Sequence, residues 1–318
     1  MEIYRTLDAV SPSARDGVVV LGNFDGVHRG HQAVIGEAKD AAAKNQEPLV
    51  VVTFDPHPRV FFRPHDAPFY LTSIEQKATQ LQALGVDHLL TLPFDTALSE
   101  QRPEDFVEQV IVKALGAKSV TVGFNFRFGR RRSGDGTLLE EIGAAKGFDV
   151  NLVNAVSSAG GGIYSSTHVR EHLTAGKPAQ AAMLLGRPFE IAGPVVKGDQ
   201  RGRELGFPTA NLELGSYIQP AFGGYVVRAG LEVEGETRWI DAVANIGNRP
   251  TLDGTRILLE THLFEFNEDI YGRHLRVALI EFLRPEQKFD GIEALKERIE
   301  IDSAIARRML KIRSTGAP

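Results

Sequence analysis

The first half of the chain alternates short apolar runs with longer amphipathic stretches. Val18–Leu21, Leu49–Phe54, His88–Pro93, Ser119–Phe124 and Asp149–Val156 read as strands, and His31–Asn45, Ile74–Leu84, Pro103–Leu115 and Gly136–Lys146 as helices. Gly85, Gly116 and Gly147 stand where helices end, and Pro103 suits a first helical turn. This alternation predicts an α/β domain with a parallel sheet and helices on both faces. After about Arg187 strands follow one another without helices: Phe189–Val196, Ala210–Leu214, Gly224–Val233, Thr237–Ile246, Ile257–Phe266 and Leu275–Leu283. Val233-Glu234-Gly235-Glu236 reads as a hairpin turn, and Gly291–Leu310 as an amphipathic terminal helix. The second half is expected to be a small closed antiparallel β-barrel. The joint falls in the helical stretch Ala175–Arg187, giving expected domains 1–184 and 185–318.

Composition narrows the class. At 318 residues, 42% hydrophobic and 24% charged, the chain suits two soluble domains. A net charge of −5 argues against a general nucleic-acid or membrane-surface role. The absence of cysteine excludes disulfides, thiolate metal sites and cysteine nucleophiles, and fits a reducing cytoplasm. Met1 to Asp8 is charged and unlike a signal peptide, and no apolar run approaches the roughly 20 residues that span a bilayer. A cytoplasmic monomer or weak homo-oligomer is expected.

The densest chemistry is Gly22-Asn23-Phe24-Asp25-Gly26-Val27-His28-Arg29-Gly30-His31, between the first core strand and the first long helix. A strand-to-helix turn presents backbone N–H groups and a positive helix end to an anion. Gly22, Gly26 and Gly30 would let a phosphate approach the backbone. His28 and His31, three apart, can face one way and donate to phosphate oxygens. A strand–glycine turn–helix is common, but the paired histidines favour a nucleotide site. The segment resembles the His-x-Gly-His motif of nucleotidyltransferases. That resemblance implies that the histidines bind ATP phosphates and stabilise attack on the α-phosphorus.

Three further segments of the first half bear on such a site. Thr53-Phe54-Asp55-Pro56-His57-Pro58 ends the second core strand at the sheet edge where ligands bind, with His57 either a loop residue or a ligand contact. In Gly123-Phe124-Asn125-Phe126-Arg127-Phe128, a strand would bury the three phenylalanines and turn Asn125 and Arg127 to the opposite face. The basic run Arg130-Arg131-Arg132 is solvated surface or a polyphosphate cover. Tyr164-Ser165-Ser166-Thr167-His168-Val169-Arg170 starts a helix with hydroxyl caps. Three hydroxyls with Arg170 one turn on also make a phosphate clamp. The superfamily has such a Ser-Ser-Thr-x-x-Arg element, which implies that Ser165, Ser166, Thr167 and Arg170 hold the β- and γ-phosphates.

In the second half, Gly202-Arg203-Glu204-Leu205-Gly206-Phe207-Pro208-Thr209-Ala210-Asn211 places Thr209 and Asn211 on one side of an extended chain. They are either part of a turn or an oxygen pair for Mg²⁺. Lys197-Gly198-Asp199-Gln200-Arg201-Gly202 upstream resembles a glycine-rich phosphate loop. The prolines and glycines around 194–206 and 248–254 suggest loops that order on ligand binding. Glu260, set among Ile257-Leu258-Leu259, is either an ion-paired residue or a base beside a pocket. Together with Asn245-Ile246-Gly247-Asn248-Arg249-Pro250-Thr251 and Glu260-Thr261-His262-Leu263-Phe264, these motifs resemble the riboflavin kinase module, with Leu185-Gly186-Arg187-Pro188-Phe189 as its entry.

With a nucleotidyltransferase module in front, nearly the whole chain resembles the prokaryotic bifunctional riboflavin kinase/FMN adenylyltransferase family. The resemblance implies a Rossmann-like nucleotidyltransferase domain followed by a riboflavin kinase barrel. It implies riboflavin, FMN and ATP as small-molecule partners, Mg²⁺ as cofactor, and FMN or FAD as substrate or product rather than a resident group. Thr209 and Asn211 would hold Mg²⁺ and Glu260 would act as base. Lys197, Gly198, Gly202, Gly206, Pro208, Asn245 and Arg249 would line the kinase's ATP/flavin site. Phe54, His57, Asn125 and Arg127 are the candidate FMN contacts of the first domain. Departures stand at Tyr164, where the family usually has an aliphatic residue, and at Gly223-Gly224-Tyr225 in place of Gly-Val-Tyr; they bear on pocket shape. The other readings are a nucleotidyltransferase for another phosphorylated acceptor, such as phosphopantetheine or nicotinamide mononucleotide, or a non-catalytic flavin-binding regulator.

Overall fold

The computed structural model describes residues 1–156, 162–198, 202, 206–251 and 254–315. They form two compact units: Met1–Asp66 with Ile74–Ser165, and Ala67–Ser73 with Ser166–Pro318. The first unit runs β1 (Glu2–Tyr4), β2 (Val18–Leu21), α1 (Arg29–Asn45), β3 (Leu49–Asp55), α2 (Pro58–Phe62), α3 (Ile74–Ala83), β4 (His88–Pro93) and α4 (Thr96–Ser99). It continues with α5 (Pro103–Phe106), β5 (Ser119–Gly123), α6 (Gly136–Lys146) and β6 (Asp149–Val153). Its sheet has the order β1-β4-β3-β2-β5-β6, every pair parallel. The expected α/β architecture is therefore present, and β2 lies mid-sheet between β3 and β5.

All four residues of β2 are buried because both faces of the sheet are covered. Val19 and Leu21 pack with Val50, Val52, Ile111, Leu115 and Leu139 on one face. Val18 and Val20 pack with Val51, Ile35, Ala38 and Leu81 on the other. β2 leads on to β3 on one side, while its other neighbour, β5, leads on to β6 on the opposite side, so the C-terminal ends of β2 and β5 mark a switch point, the place where loops diverge and ligands bind in such sheets.

Three local expectations are corrected. The segment Phe124–Phe128 is not a strand: β5 ends at Gly123, the Phe126 N–H donates back to the Gly123 carbonyl at 2.9 Å, and Phe124 is 52% exposed. The Phe128–Gly134 bridge closes this loop and buries Phe128 alone. The helix expected over Pro103–Leu115 continues beyond α5 as a wider π-helix over Val107–Ala114. The last strand of the sheet stops at Val153 rather than Val156.

The second unit comprises α7 (Ser166–Thr174), α8 (Pro178–Leu185), β7 (Phe189–Pro194), β8 (Ala210–Glu213), β9 (Gly223–Val233), β10 (Glu236–Thr251), β11 (Gly254–Leu263), β12 (His274–Pro285) and α9 (Ile292–Thr315). The strands form an antiparallel sheet in the order β7-β12-β9-β10-β11-β8. It curls until its edges meet where the Val196 N–H donates to the Asn211 carbonyl at 2.9 Å. Glu234 and Gly235 form the β9–β10 turn with φ of 52° and 87°, the left-handed pair that suits a two-residue hairpin. The interior holds Phe189, Ile191, Leu212, Tyr225, Val227, Leu259 and Leu279. Val169 and Leu173 of α7 and Ala181 and Leu185 of α8 join this core. The packing boundary consequently falls at Ser165/Ser166, upstream of the joint expected at 184/185.

The opposite face of the sheet is covered by α9, whose Ala306 and Leu310 meet Val226, Val243, Phe264, Ala278 and Ile280. Asp302 clamps this helix. It accepts a hydrogen bond from Arg284 Nε at 2.8 Å and forms an ion pair with Arg298 Nη2 at 2.8 Å, and its side chain is only 5% exposed. Truncating it leaves the nearly buried Arg284 guanidinium uncompensated. Asp302→Ala should destabilise the barrel unit by about 3–5 kcal/mol in urea unfolding; a loss below about 1 kcal/mol, the range of exposed pairs, would contradict the clamp.

Candidate functional site

The turn after β2 begins with the Gly22 N–H on the Val52 carbonyl at 3.2 Å. It ends at His28, the N-cap of α1. His28 Nδ1 accepts the backbone N–H of His31 at 3.3 Å, so the neutral ring carries its hydrogen on Nε2. The His28 and His31 rings stack at 3.6 Å with an 18° interplanar angle, and Phe24 meets His31 edge-on at 5.2 Å. Asp25 and His28 are buried. The space left by two of the glycines is filled by side chains: a Cβ on Gly30 would lie 3.1 Å from the His28 ring and 3.2 Å from Tyr164 Cβ, and one on Gly22 would lie 2.7 Å from the Phe24 ring. The third, Gly26, supplies a φ of 83°.

Beneath the turn lies a group that sequence reading missed. Lys77 sits in α3 on the inward face shared with Ala78 and Leu81, and is 3% exposed. Its ammonium donates to the Asn23 carbonyl at 2.8 Å and to Thr53 Oγ1 at 3.4 Å, while Thr53 Oγ1 donates to the same carbonyl at 3.1 Å. Burial pushes the Lys77 ammonium below its usual range, and the carboxylates of Asp25 and Asp55 oppose the shift. The available signal was a lysine at a core-facing helical position, one residue before Ala78 and four before Leu81.

At the same edge of the sheet His57 caps α2, its Nδ1 accepting the Arg59 N–H at 3.1 Å. Phe54 contacts Phe94 and Phe106 at ring separations of 5.9 and 6.3 Å. Phe61 and Phe62 extend this aromatic group through Phe94, and Phe62 is 64% exposed. These two phenylalanines were also missed. Asn125 and Arg127 are exposed on the turn beyond β5, and Arg127 pairs with Asp135, the N-cap of α6. Arg130 pairs with Glu100 at 3.5 Å.

Ser165 closes the first compact unit, whereas Ser166, Thr167 and Arg170 start α7 in the second. Within that unit Arg170 Nε donates to the Phe69 carbonyl at 3.0 Å and its guanidinium lies 3.6 Å from the centre of the Phe69 ring.

In the barrel, strand pairing aligns the candidates. Asn211 of β8 stands opposite Glu260 of β11, which stands opposite Asn245 of β10. Directly paired residues share a face, so the three form a row across three strands, on the side away from the barrel core. Glu260 is ion-paired with Arg249, which also approaches Glu286 at 3.7 Å. Asn211 is 4% exposed, and its Oδ1 has no hydrogen-bond partner among the described residues. Gly198 packs on the Asn211 amide, and a Cβ there would lie 2.3 Å from Nδ2. A cavity of about 330 Å³ is lined by Gly198, Pro208, Thr209 and Asn211 on one side and by Phe266 and Tyr271 on another. Lys197 is exposed, and the Phe207 N–H closes a turn on the Gly202 carbonyl at 2.7 Å, with Gly206 at φ 84°. Asp199, Gln200 and Arg201 of the expected phosphate loop lie outside the described residues, as do Arg203, Glu204 and Leu205 of the segment that follows it and Leu252 and Asp253 of the expected ordering loops.

The candidate side chains thus lie on two different folds of one chain, an α/β unit and an antiparallel barrel, a layout suited to a two-domain transferase. Residues 10–168 match the FAD synthetase family and residues 185–310 the riboflavin kinase family. The chain is 40% identical over 309 residues to the bifunctional riboflavin kinase/FMN adenylyltransferase of Escherichia coli (strain K12), covering 96% of this chain and 97% of that protein. It is 41% identical over 310 residues to the protein of the same name from Pseudomonas fluorescens, covering 97% and 98%. A crystal structure described as a macrolide-efflux protein from Streptococcus pneumoniae superposes with a TM-score of 0.84 at 32% identity, covering 96% of this chain and 98% of that one. Among the described residues of this chain, no helix is long and apolar enough to cross a membrane. The chain belongs to the bifunctional riboflavin kinase/FMN adenylyltransferase family.

His262, beside Pro208, offers a test of the barrel geometry. Burial pushes its pKa below the ordinary 6.5; its hydrogen bond to the Pro208 carbonyl opposes this, and Arg307 adds to it. The folded state therefore binds this proton less well than the unfolded chain. The resulting stability is whole above pH 6.5 and is lost as pH falls from there through the depressed value. The urea midpoint of the parent should drop relative to His262→Gln between pH 8 and 5; a constant difference would contradict the half-buried placement of His262.

Proposed function

We propose that the barrel transfers the γ-phosphoryl of ATP to the riboflavin 5′-hydroxyl, and that the first domain joins AMP from ATP to the FMN phosphate, releasing pyrophosphate. The observation that carries this reading is the separation of the two motif sets onto two domains, in the order of the two family matches. We take 1–184 as the adenylyltransferase and 185–318 as the kinase.

In the kinase reaction Glu260 accepts the hydroxyl proton as the oxygen attacks the γ-phosphorus, and ADP leaves. Arg249 holds the carboxylate in place through its ion pair. The buried Asn211 Oδ1, which has no hydrogen-bond partner among the described residues, and the Thr209 hydroxyl are the oxygen donors a hard divalent cation prefers, so they fit Mg²⁺. When bound, that ion neutralises phosphate charge. Lys197, Gly198, Gly202, Gly206 and Pro208 border the nucleotide, and Asn245 completes the row beside Glu260.

In adenylyl transfer a phosphate oxygen of FMN attacks the α-phosphorus, and the bond to the pyrophosphate oxygen breaks. The nucleophile is already an anion, so no enzyme intermediate is required. The barrier lies in bringing two polyanions together, and alignment can supply roughly 7–11 kcal/mol of it. His28 donates from Nε2, His31 supports it through the ring stack, and the Gly22–Gly30 turn supplies backbone N–H groups. Ser165, Ser166, Thr167 and Arg170 act on the β- and γ-phosphates. Phe54, with Phe61, Phe62 and Phe94, offers a planar apolar surface for the flavin ring, and His57, Asn125 and Arg127 its polar contacts. Flavins and ATP are substrates or products rather than resident groups. The protein works in the cytoplasm on small molecules, without nucleic acid or membrane, as a monomer or weak homo-oligomer.

Two substitutions separate the activities. His28→Ala should lower FMN adenylylation by about 100- to 1,000-fold, the effect of losing one preorganised donor, and leave riboflavin phosphorylation intact. Glu260→Gln should abolish phosphorylation and spare adenylylation of supplied FMN. Equal loss of both activities in either variant would contradict the assignment. Asn211→Ala should raise the Mg²⁺ concentration needed for half-maximal phosphorylation; an unchanged requirement would remove Asn211 from the metal site.

A further inference from the structure

The buried Lys77 is not used by the mechanism above. Burying an ammonium is costly, and a helix packed only for stability would do better with an apolar residue at this position. Lys77 instead spends its hydrogen bonds on one backbone carbonyl of the phosphate turn and on the threonine that shares it. That turn is strained: Phe24 and Val27 adopt φ of 48° and 42°, a region non-glycine residues rarely occupy, so it persists only where its surroundings over-determine it.

The peptide plane says what the contact accomplishes. Asp55–Pro56 is the cis bond of the described chain, so the Asn23–Phe24 peptide is trans. In a trans peptide the carbonyl and the following N–H point to opposite sides. Fixing the Asn23 carbonyl towards Lys77 and Thr53 therefore turns the Phe24 N–H away from them. Among the described residues the Phe24 N–H has no hydrogen-bond partner. A backbone donor held without an acceptor in a turn between strand and helix is suited to an anionic oxygen.

We propose that Lys77 is a positioning residue for adenylyl transfer: by holding the Asn23 carbonyl it presents the Phe24 N–H to a phosphate oxygen of ATP. The inference rests on the adenylyltransferase reading of the first domain. Lys77 touches no reacting atom; it acts through the Asn23–Phe24 peptide, with Thr53 as its auxiliary.

The test uses the full chain and steady-state kinetics of both half-reactions, with ATP, FMN and riboflavin each varied. Lys77→Met keeps the volume and removes the charge, and Thr53→Val removes the second donor to the same carbonyl. The KM for ATP in FMN adenylylation should rise about tenfold or more in Lys77→Met, as expected for a lost charge-assisted hydrogen bond, and by less in Thr53→Val. The KM for FMN, and both constants of riboflavin phosphorylation, should stay within about twofold. Lys77→Arg, which keeps a charged donor, should recover part of the ATP affinity. If wild type does not adenylylate FMN, the functional reading fails. If wild type does and Lys77→Met keeps its ATP KM, the inference fails. A fall in adenylylation kcat with unchanged KM for ATP, or loss of the first domain's cooperative unfolding in Lys77→Met with Thr53→Val kinetically silent, would make Lys77 merely structural and overturn it as well.

Discussion

A shift of one residue in strand pairing turns every side chain to the opposite face of a sheet, and both candidate sites rest on registers that cannot slip. In the barrel, Asn211, Glu260 and Asn245 form one row only because β8, β11 and β10 pair in the observed register. Moving β11 by one residue would put Leu259 or Thr261 in the place of Glu260. Such a slip is costly because Leu259 and Thr261 are fully buried, each 0% exposed. The hydrophobic alternation that builds the barrel core therefore also sets the polar row outside it.

The first domain applies the same constraint differently. Val18–Leu21 is held by β3 on one side and β5 on the other, and both faces are covered. A strand so confined ends at a fixed point, and the turn to α1 starts there. Within the turn, local contacts decide the geometry. His28 caps the helix with its Nδ1, which places the hydrogen of the neutral ring on Nε2. Gly30 has no Cβ, which lets the His28 ring and Tyr164 close in. A residue that looked in sequence like space for a phosphate is, in the fold, space for the histidine that faces it.

Much of this was legible in the sequence. Short apolar runs and glycine punctuation located the core strands of both domains, because burial writes itself directly into composition. The β9–β10 hairpin followed from Glu234-Gly235, whose backbone demands are local. The stretch Phe124–Phe128 misled because three phenylalanines at alternate positions mimic a strand, whereas the Phe128–Gly134 bridge folds them into a loop. Neither the division at Ser165/Ser166 nor the buried contact of Lys77 with the Asn23 carbonyl could be read. The first depends on which core α7 and α8 bury themselves in, and the second on a contact between residues 54 positions apart. Sequence periodicity carries no information on either. Glu260 illustrates the intermediate case: both of its readings, ion pair and pocket base, were visible, and Arg249 supplied the partner.

The central claim is that one chain performs two successive transfers on two domains. It is tested most directly by following flavin products by chromatography when the purified full chain is given riboflavin, ATP and Mg²⁺. The account predicts that FMN accumulates first and that FAD follows after a lag, with pyrophosphate released in step with FAD. Riboflavin that remains bound but unconverted, or FMN that never proceeds to FAD even when supplied directly, would contradict it.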